Sequence, residues 1–148
     1  YKHYADLLGD VGQEAVDHNV TFTVHNHNNC PAMVAEDLRR LFDIVGPGLV
    51  KITVDTAHLG LAGVTDIAGF IHEFKDFIGN FHLKDLKDGN FRTLGEGDID
   101  FEPVFKAIND IGYDGWISAD EESGTDLKDS MKMCYEYMKK RLFPSTKS

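Results

Sequence analysis

The stretch LVKITVDTAH, residues 49–58, decides the fold of this chain. It is a nearly continuous run of β-branched and apolar residues that ends in Asp55, Thr56 and His58. Such a run, bounded by polar residues, is typical of a strand that is covered on both faces of a parallel sheet. In parallel α/β folds, ligands bind at the carboxyl ends of the strands. The stretch therefore predicts a buried strand whose polar end faces a site.

The order of strand, loop and helix recurs along the chain. The strand-like runs are VTFTVHNH (20–27), LVKITVDTAH (49–58), NFHLKDL (80–86) and GWISADEES (115–123). Pro31 suits the first turn of the helix after the first run, and Thr65 and Asp100 are candidate N-caps of the next two helices. A last helix should place four residues on one face, namely Leu127, Met131, Cys134 and Met138.

This alternation predicts the α/β class, with parallel strands covered by helices and a single domain over residues 1–148. Two architectures fit, an open doubly wound sheet and a (β/α) barrel. An open sheet that binds nucleotides usually has a glycine-rich phosphate loop directly after a strand, and the sequence contains no GxGxxG or GxxxxGK[ST] motif. The ends of the strands carry a different signal.

All four strand-like runs end in ionisable or metal-binding groups. These are His25 and His27, Asp55 and His58, His82 with Lys84 and Asp85, and the acidic residues 120–122. A mixed set of nitrogen and oxygen ligands suits Mn²⁺, Co²⁺, Zn²⁺ or Mg²⁺. The alternation of side chains along a strand puts Asp120 and Glu122 on the same side, so either could be the last ligand. We therefore predict a divalent metal site at one rim.

Other candidate residues receive a structural interpretation. His3, His18 and His72 are predicted to lie on the surface, and Tyr113 and Trp116 to pack at the opposite end of the last strand. No base can be assigned to activate Cys30, so we interpret it as a residue without a catalytic role. Cys30 and Cys134 are both interpreted as reduced thiols. Glu96, in LGEGDIDF (94–101), should face the same rim as the strand ends.

The composition of the chain narrows the range of possible functions. The chain has 15 basic and 25 acidic residues and a formal net charge of −10, which disfavours nucleic acid as a partner and with it DNA-repair hydrolysis. No apolar run approaches the length of a membrane span. These features favour a soluble, cytoplasmic protein. The first residue is Tyr1 rather than Met, which suggests processing, a removed tag or a piece of a longer protein.

The ordered motifs VHNH, DTAH, FHLKD, GEGDIDF and GYDGWIS resemble the sugar phosphate isomerase/epimerase family, part of the xylose-isomerase-like TIM-barrel superfamily. The resemblance spans roughly residues 20–122 and implies strands five to eight of a (β/α)₈ barrel. It implies a divalent cation held by Asp55, His82 and a carboxylate on the last strand. His25 stands where many members have Glu, and Asp120 stands where members usually have Glu.

The resemblance implies an isomerase or epimerase that acts on a sugar, sugar phosphate or related polyol through an enediolate-type intermediate. The cation would be held by His25, Asp55, His82 and Asp120. His58 would bind or polarise a substrate oxygen, His27 and Lys84 would orient the substrate, and Glu122 or Glu96 would move the proton. An inosose-type dehydratase of the same superfamily and a non-catalytic truncated half-barrel are the alternatives.

Four parallel strands from a closed barrel would leave two open sheet edges. We therefore expect either that the chain is the second half of a longer barrel or that two copies associate to cover the edges.

Overall fold

The fold is described by a computed structural model over residues 1–46 and 48–142. The elements in chain order are α1 (Lys2–Asp17), β1 (Thr23–His25), α2 (Ala35–Val45), β2 (Lys51–Asp55), α3 (Thr56–Leu61), α4 (Ile67–Glu73), a 3₁₀ turn (Lys75–Phe77), β3 (Ile78–Leu83), β4 (Asp85–Lys87), β5 (Asn90–Arg92), α5 (Phe101–Asp110), β6 (Ile117–Ala119) and α6 (Leu127–Leu142).

Four strands form one parallel sheet in the order β1-β2-β3-β6, which confirms the predicted α/β class. Asp55 at the end of β2 lies opposite His82 on β3, and His82 lies opposite Ser118 on β6. The carboxyl ends of the strands therefore meet at one edge of the sheet, as the alternation of strands and helices predicted.

The core lies between the two central strands and the helices that cover them. Its fully buried side chains come from α2, β2, α4, β3 and α5, and include Leu38, Leu41, Ile52, Val54, Ile71, Phe81, Val104 and Ile108. Phe42 of α2 stacks on Phe77 with ring centroids 4.0 Å apart. Burial of this apolar surface is the main force that fixes the strand ends in place.

Three local elements are absent from the sequence predictions. Helix α1 was missed because it buries only Ala5 and Gly12, so it lacks a stripe of large apolar residues. A side chain at position 12 would collide with the backbone of Leu49, which explains the glycine. Short helix α3 follows β2 without a break, and the loop after β3 contains the antiparallel hairpin β4–β5.

Two predicted helix starts are wrong and one is confirmed. Asp66, not Thr65, caps α4, because its carboxylate accepts a hydrogen bond from the Gly69 N–H at 2.7 Å. Helix α2 begins at Ala35, and Pro31 lies in the turn before it, where the chain has not yet become helical. Asp100 caps α5 as predicted, by accepting from the Glu102 N–H.

The packing predictions for the last part of the chain need correction. Trp116 is 83% exposed rather than packed, whereas Tyr113 packs against Phe81 with ring centroids 4.9 Å apart. Helix α6 buries Ser130 and Cys134, and the predicted apolar residues Leu127 and Met131 are exposed, because the buried face is rotated away from them.

Strands β1 and β6 are the outer strands of the sheet, and each pairs with one neighbour among residues 1–46 and 48–142. Within the same residues, no helix combines the length and apolar character needed to cross a membrane.

Candidate metal centre

One side chain from each strand of the parallel sheet meets at its carboxyl edge. His25 ends β1, Asp55 ends β2, His82 lies on β3 and Asp120 directly follows β6. One nitrogen or oxygen atom of each residue lies within 4.8 Å of the corresponding atoms of the other three. Two imidazoles and two carboxylates at this spacing form a group that could hold a divalent metal ion.

The two carboxylate oxygens of Asp55 have different roles: one caps a helix and the other faces the cluster. It is fully buried, and its Oδ1 accepts a hydrogen bond from the His58 N–H at 2.9 Å, which caps helix α3. Its Oδ2 faces the cluster and lies 3.4 Å from His25 Nε2. The helix cap therefore fixes the carboxylate so that one oxygen remains available at the strand edge.

Three of the four cluster residues contribute a buried polar atom that has no hydrogen-bond partner among the described residues. These atoms are His25 Nε2, Asp55 Oδ2 and His82 Nδ1. Buried polar groups are rarely left unsatisfied, because each one costs about 1–3 kcal/mol. A shared cation would satisfy all three atoms, so the cluster fits a metal on its own geometry.

Two buried residues that sequence reasoning missed join the strand ends to each other. The Asn26 side chain accepts from the Asp55 N–H at 2.7 Å and donates to the Asp55 carbonyl at 3.0 Å. In the same way, the Thr56 hydroxyl donates to the Lys84 carbonyl and accepts from the Lys84 N–H. The only signal for them was position, since each adjoins a residue of the predicted site.

Lys84 lies in the middle of three carboxylates, although it was predicted only to orient substrate. Its ammonium is 2.8 Å from Asp120 Oδ2 and 3.6 Å from Asp55 Oδ2, and it also pairs with Glu122. The side chain is 1% exposed. Asp120 and Glu122 therefore lie on the same side, as the alternation along the last strand predicted.

The charges of these groups stabilise one another. Burial alone would raise the pKa of Asp55, but the neighbouring His25 ring, the hydrogen bond from the His58 N–H and the charge of Lys84 hold it below its ordinary range. Burial would lower the pKa of Lys84, yet its hydrogen bonds to Asp120 and Glu122 raise it. Burial also lowers the pKa of His82, which keeps the ring neutral and available as a ligand.

His58 and His27 form a second pair of rings beside the cluster, with centroids 4.0 Å apart. His58 is buried, and its Nδ1 accepts from the Asn28 N–H at 3.2 Å, which assigns the proton to Nε2. His27 is exposed, and its Nδ1 lies 2.9 Å from the Asn28 carbonyl, so Nδ1 carries the proton in the neutral ring and Nε2 is then an acceptor. Burial lowers the pKa of His58, so its ring is neutral near pH 7.

The hairpin β4–β5 covers one side of the site. Phe91 on β5 places its ring 4.5 Å from the Lys84 ammonium and 5.2 Å from the His58 ring. A cation over an aromatic face gains electrostatic stabilisation in addition to apolar contact. Nothing in the sequence pattern marked Phe91, because the hairpin itself was not predicted.

Three further residues near the strand ends are not part of the cluster. Glu121 accepts from the Ser123 N–H and from the Cys134 thiol. Glu96 is exposed in the loop before α5, and no hydrogen bond or ion pair links its carboxylate to the other described residues of the site. Cys30 donates through its thiol to the His25 carbonyl at 3.6 Å.

Asp85 is buried and organises the loop that follows the hairpin. Its carboxylate accepts from the N–H groups of Leu86, Gly95, Gly97 and Ile99. Gly95 has φ of +91°, and a side chain at Gly97 would collide with the Asp85 carboxylate. The GEG motif is therefore a backbone cradle for Asp85, and Asp85 is not available to the cluster.

A parallel sheet whose strand ends converge on a mixed histidine and carboxylate cluster defines a half of a metal-capable (β/α) barrel. The family model for the xylose isomerase-like TIM barrel matches residues 1–137. The chain therefore belongs to the xylose isomerase-like TIM barrel family, which confirms the resemblance drawn from the motifs.

Curated relatives that match the chain include inosose dehydratases. The protein of this name from Clostridium beijerinckii is 28% identical over 141 residues, which cover 82% of this chain and 47% of that protein. The inosose dehydratase of Lacticaseibacillus casei is also 28% identical over 141 residues. The chain thus spans about half the length of these relatives.

Solved structures show the same fold. The probable 3-DHS dehydratase AsbF from Bacillus anthracis superimposes with a TM-score of 0.83 at 18% identity, and the match covers 95% of this chain and 57% of that one. An L-ribulose 3-epimerase superimposes with a TM-score of 0.80 at 22% identity, covering 95% and 53% of the two chains.

Proposed function

We propose that the chain is the metal-binding half, strands five to eight, of a barrel enzyme that isomerises or epimerises a sugar, a sugar phosphate or a related polyol. The observation that supports this most directly is the convergence of four strand ends on His25, Asp55, His82 and Asp120, with ligand atoms within 4.8 Å of one another. Relatives and structural neighbours named as sugar epimerases and inosose dehydratases give independent support.

The nitrogen and oxygen donor set suits Mn²⁺, Co²⁺, Mg²⁺ or Zn²⁺. When bound, such a cation supplies a positive charge that polarises a substrate carbonyl and makes the neighbouring C–H more acidic. Asp120 is assigned as the fourth ligand in preference to Glu122, because Asp120 belongs to the group of converging ligand residues, whereas Glu122 is half exposed and lies outside it.

His58 and His27 are proposed to orient the substrate. The Nε2–H of His58 is buried beside the cluster and has no partner among the described residues, so it can donate to a substrate oxygen. The Nε2 of His27 can accept from a substrate hydroxyl. One donor and one acceptor on rings 4.0 Å apart suit neighbouring oxygens of a polyol.

Proton transfer is assigned to the Lys84–Glu122 pair. Glu122 is partly exposed, so it can reach substrate, and its carboxylate can accept a proton from carbon while Lys84 stabilises the ionised state. Lys84 would also contact the substrate oxygen that gains negative charge. Glu96 is a weaker candidate for this task, because it is exposed and has no contact with the cluster among the described residues.

Dehydration of an inosose-like cyclitol is the second candidate function, favoured by the names of the curated relatives. It begins with the same removal of a proton next to a carbonyl and then expels a hydroxyl group from the adjacent carbon. A non-catalytic half-barrel is the third, favoured by the open strands β1 and β6.

Metal binding is tested by isothermal titration with Mn²⁺ after treatment with a chelator. We expect about one ion per chain, and we expect Asp55→Asn to weaken binding by at least about tenfold because it removes a charged ligand. Asp43→Asn, which removes an exposed charge from α2, is the matched control and should leave binding unchanged. Equal affinity in Asp55→Asn and the original chain would overturn the metal assignment.

The reaction is tested by incubating the metal-loaded chain in D₂O with ketoses and inososes and following each by NMR and mass spectrometry. Epimerisation would replace one carbon-bound hydrogen with deuterium and would release no water. Dehydration would release one water molecule. Metal binding without either reaction would show that this half of a barrel does not catalyse by itself.

A further inference from the structure

The ammonium of Lys84 lies beside the carboxylate oxygens that face the histidines of the proposed metal site. Asp55 Oδ2 lies 3.4 Å from His25 Nε2, and Asp120 Oδ2 lies 3.6 Å from His82 Nδ1. The same two oxygen atoms lie 3.6 Å and 2.8 Å from Lys84 Nζ. A lysine that only contacted substrate would have no need to touch both carboxylate ligands. Its position therefore bears on how the metal binds.

The charges of the site indicate the consequence. The carboxylates of Asp55, Asp120 and Glu122 and the ammonium of Lys84 together carry a net charge of about −2, which one divalent cation balances. Removing the lysine would leave the loaded site with excess negative charge and would raise its attraction for cations.

Resting on the metal site proposed above, we propose that Lys84 competes with the cation for Asp55 and Asp120 and thereby sets the affinity of the site. Without metal, the ammonium neutralises the converging carboxylates, whose repulsion would otherwise oppose folding. With a metal bound, Lys84 would pair with Glu122 alone and would keep that carboxylate from becoming a further ligand.

The side chain has space for a neutral replacement of similar shape. Lys84 is enclosed on one side by the ring of Phe91, 4.5 Å from the ammonium, and its stem is fully buried. Methionine has a similar length and no charge, so Lys84→Met isolates the electrostatic contribution. The double variant Lys84→Met/Glu122→Gln restores the original net charge and separates charge from loss of packing.

The test measures the affinity for Mn²⁺ by competition with a fluorescent chelator and the melting temperature with and without Mn²⁺. Lys84→Met should bind at least about tenfold more tightly and should gain more thermal stability from Mn²⁺ than the original chain. The double variant should return to within about threefold of the original affinity. Lys87→Met, which removes a half-exposed lysine on the same hairpin, is the control and should change neither quantity.

The outcomes separate the two proposals. If the original chain binds Mn²⁺ and Lys84→Met binds it equally or more weakly, the proposal that Lys84 competes with the cation is overturned. Lys84 would then hold the ligands in place, and the proposal of a metal site would be unaffected. If the original chain, Lys84→Met and the double variant all fail to bind Mn²⁺, the metal site itself is overturned and the competition with it.

Discussion

The adjacent residues Lys84 and Asp85, which follow β3, have different roles. Lys84 faces the converging carboxylates, whereas Asp85 points the other way and binds the backbone of residues 86–99. Both are buried and both are ionisable, so the sequence assigned them to one cluster. Only the direction of each side chain distinguishes the site residue from the structural one.

Asp85→Asn should lower the free energy of unfolding by about 2–4 kcal/mol. The amide NH₂ of Asn cannot accept a hydrogen bond, so backbone N–H groups that bond to the Asp85 carboxylate would lose their acceptor. Urea unfolding followed by circular dichroism measures the loss. Asp88→Asn is the control, since Asp88 is exposed at the hairpin tip with φ of +51°, a conformation that Asn tolerates. A change below about 0.5 kcal/mol in Asp85→Asn would show that the loop does not depend on this carboxylate.

The lowered pKa values of His58 and His82 predict how stability depends on pH. Both lie below the ordinary value of 6.5, so the unfolded chain takes up protons at a higher pH than the folded chain does. The free energy of unfolding of the metal-free chain should therefore fall as the pH drops below about 6.5. Asp55, whose pKa lies below 3.8, titrates outside this window.

Urea unfolding in chelator at pH values on both sides of this window measures the effect. His58→Gln should reduce the pH dependence, because it removes one of the two rings that resist protonation. His72→Gln, which changes an exposed ring on α4, is the control and should retain the full dependence. An unaltered slope in His58→Gln would contradict the assignment of a neutral, buried His58.

At the scale of elements, neighbouring strands are joined by side chains as well as by the sheet. Asn26 bonds both backbone groups of Asp55, and Thr56 bonds both backbone groups of Lys84. Each polar side chain thus extends the hydrogen bonding of the sheet one step past a strand end. These bonds hold the ends of β1, β2 and β3 at the spacing on which the cluster depends.

Asn26→Ala should lower the free energy of unfolding by about 2–3 kcal/mol, since it leaves buried backbone groups of Asp55 without partners. It should also weaken Mn²⁺ binding, because Asp55 loses its fixed position. Urea unfolding and titration calorimetry measure the two effects. Asn109→Ala, at an exposed position of α5, is the matched control. Unchanged metal affinity in a destabilised Asn26→Ala chain would show that the strand-end bonds serve folding alone.

The elements that the sequence predicted are those with a strong apolar pattern. Strands β2 and β3 and the helix capped by Asp100 have that pattern, and the residues of VHNH, DTAH and HLKD marked the strand ends. Helix α1 was missed because small residues pack there, and the hairpin was missed because each of its strands has one apolar residue between two polar ones. Phe91, Asn26 and the contacts of Lys84 depend on tertiary position, which local pattern does not contain.

At the scale of the whole molecule, the outer edge of β6 and the groove between β6 and α6 are left uncovered by the described residues. Trp116 is 83% exposed and borders a groove of about 800 Å³ that is also lined by Tyr135, Met138 and Leu142. In the part of the chain that the structure describes, the outer edges of β1 and β6 have no partner strand. Exposed apolar surface next to a free strand edge favours association. In relatives of about twice the length, additional chain is available to cover such surfaces.

The 148-residue chain on its own should therefore associate as its concentration rises, from 16.6 kDa towards twice that mass. Light scattering after size-exclusion chromatography measures the mass, and the emission of Trp116, the one tryptophan, should shift to shorter wavelength as the ring loses contact with water. Trp116→Lys should weaken association, whereas Leu127→Lys, at an exposed position of α6 outside the groove, should not. A folded monomer at every concentration, with unchanged emission, would show that the open edges tolerate water and that self-association does not complete the barrel.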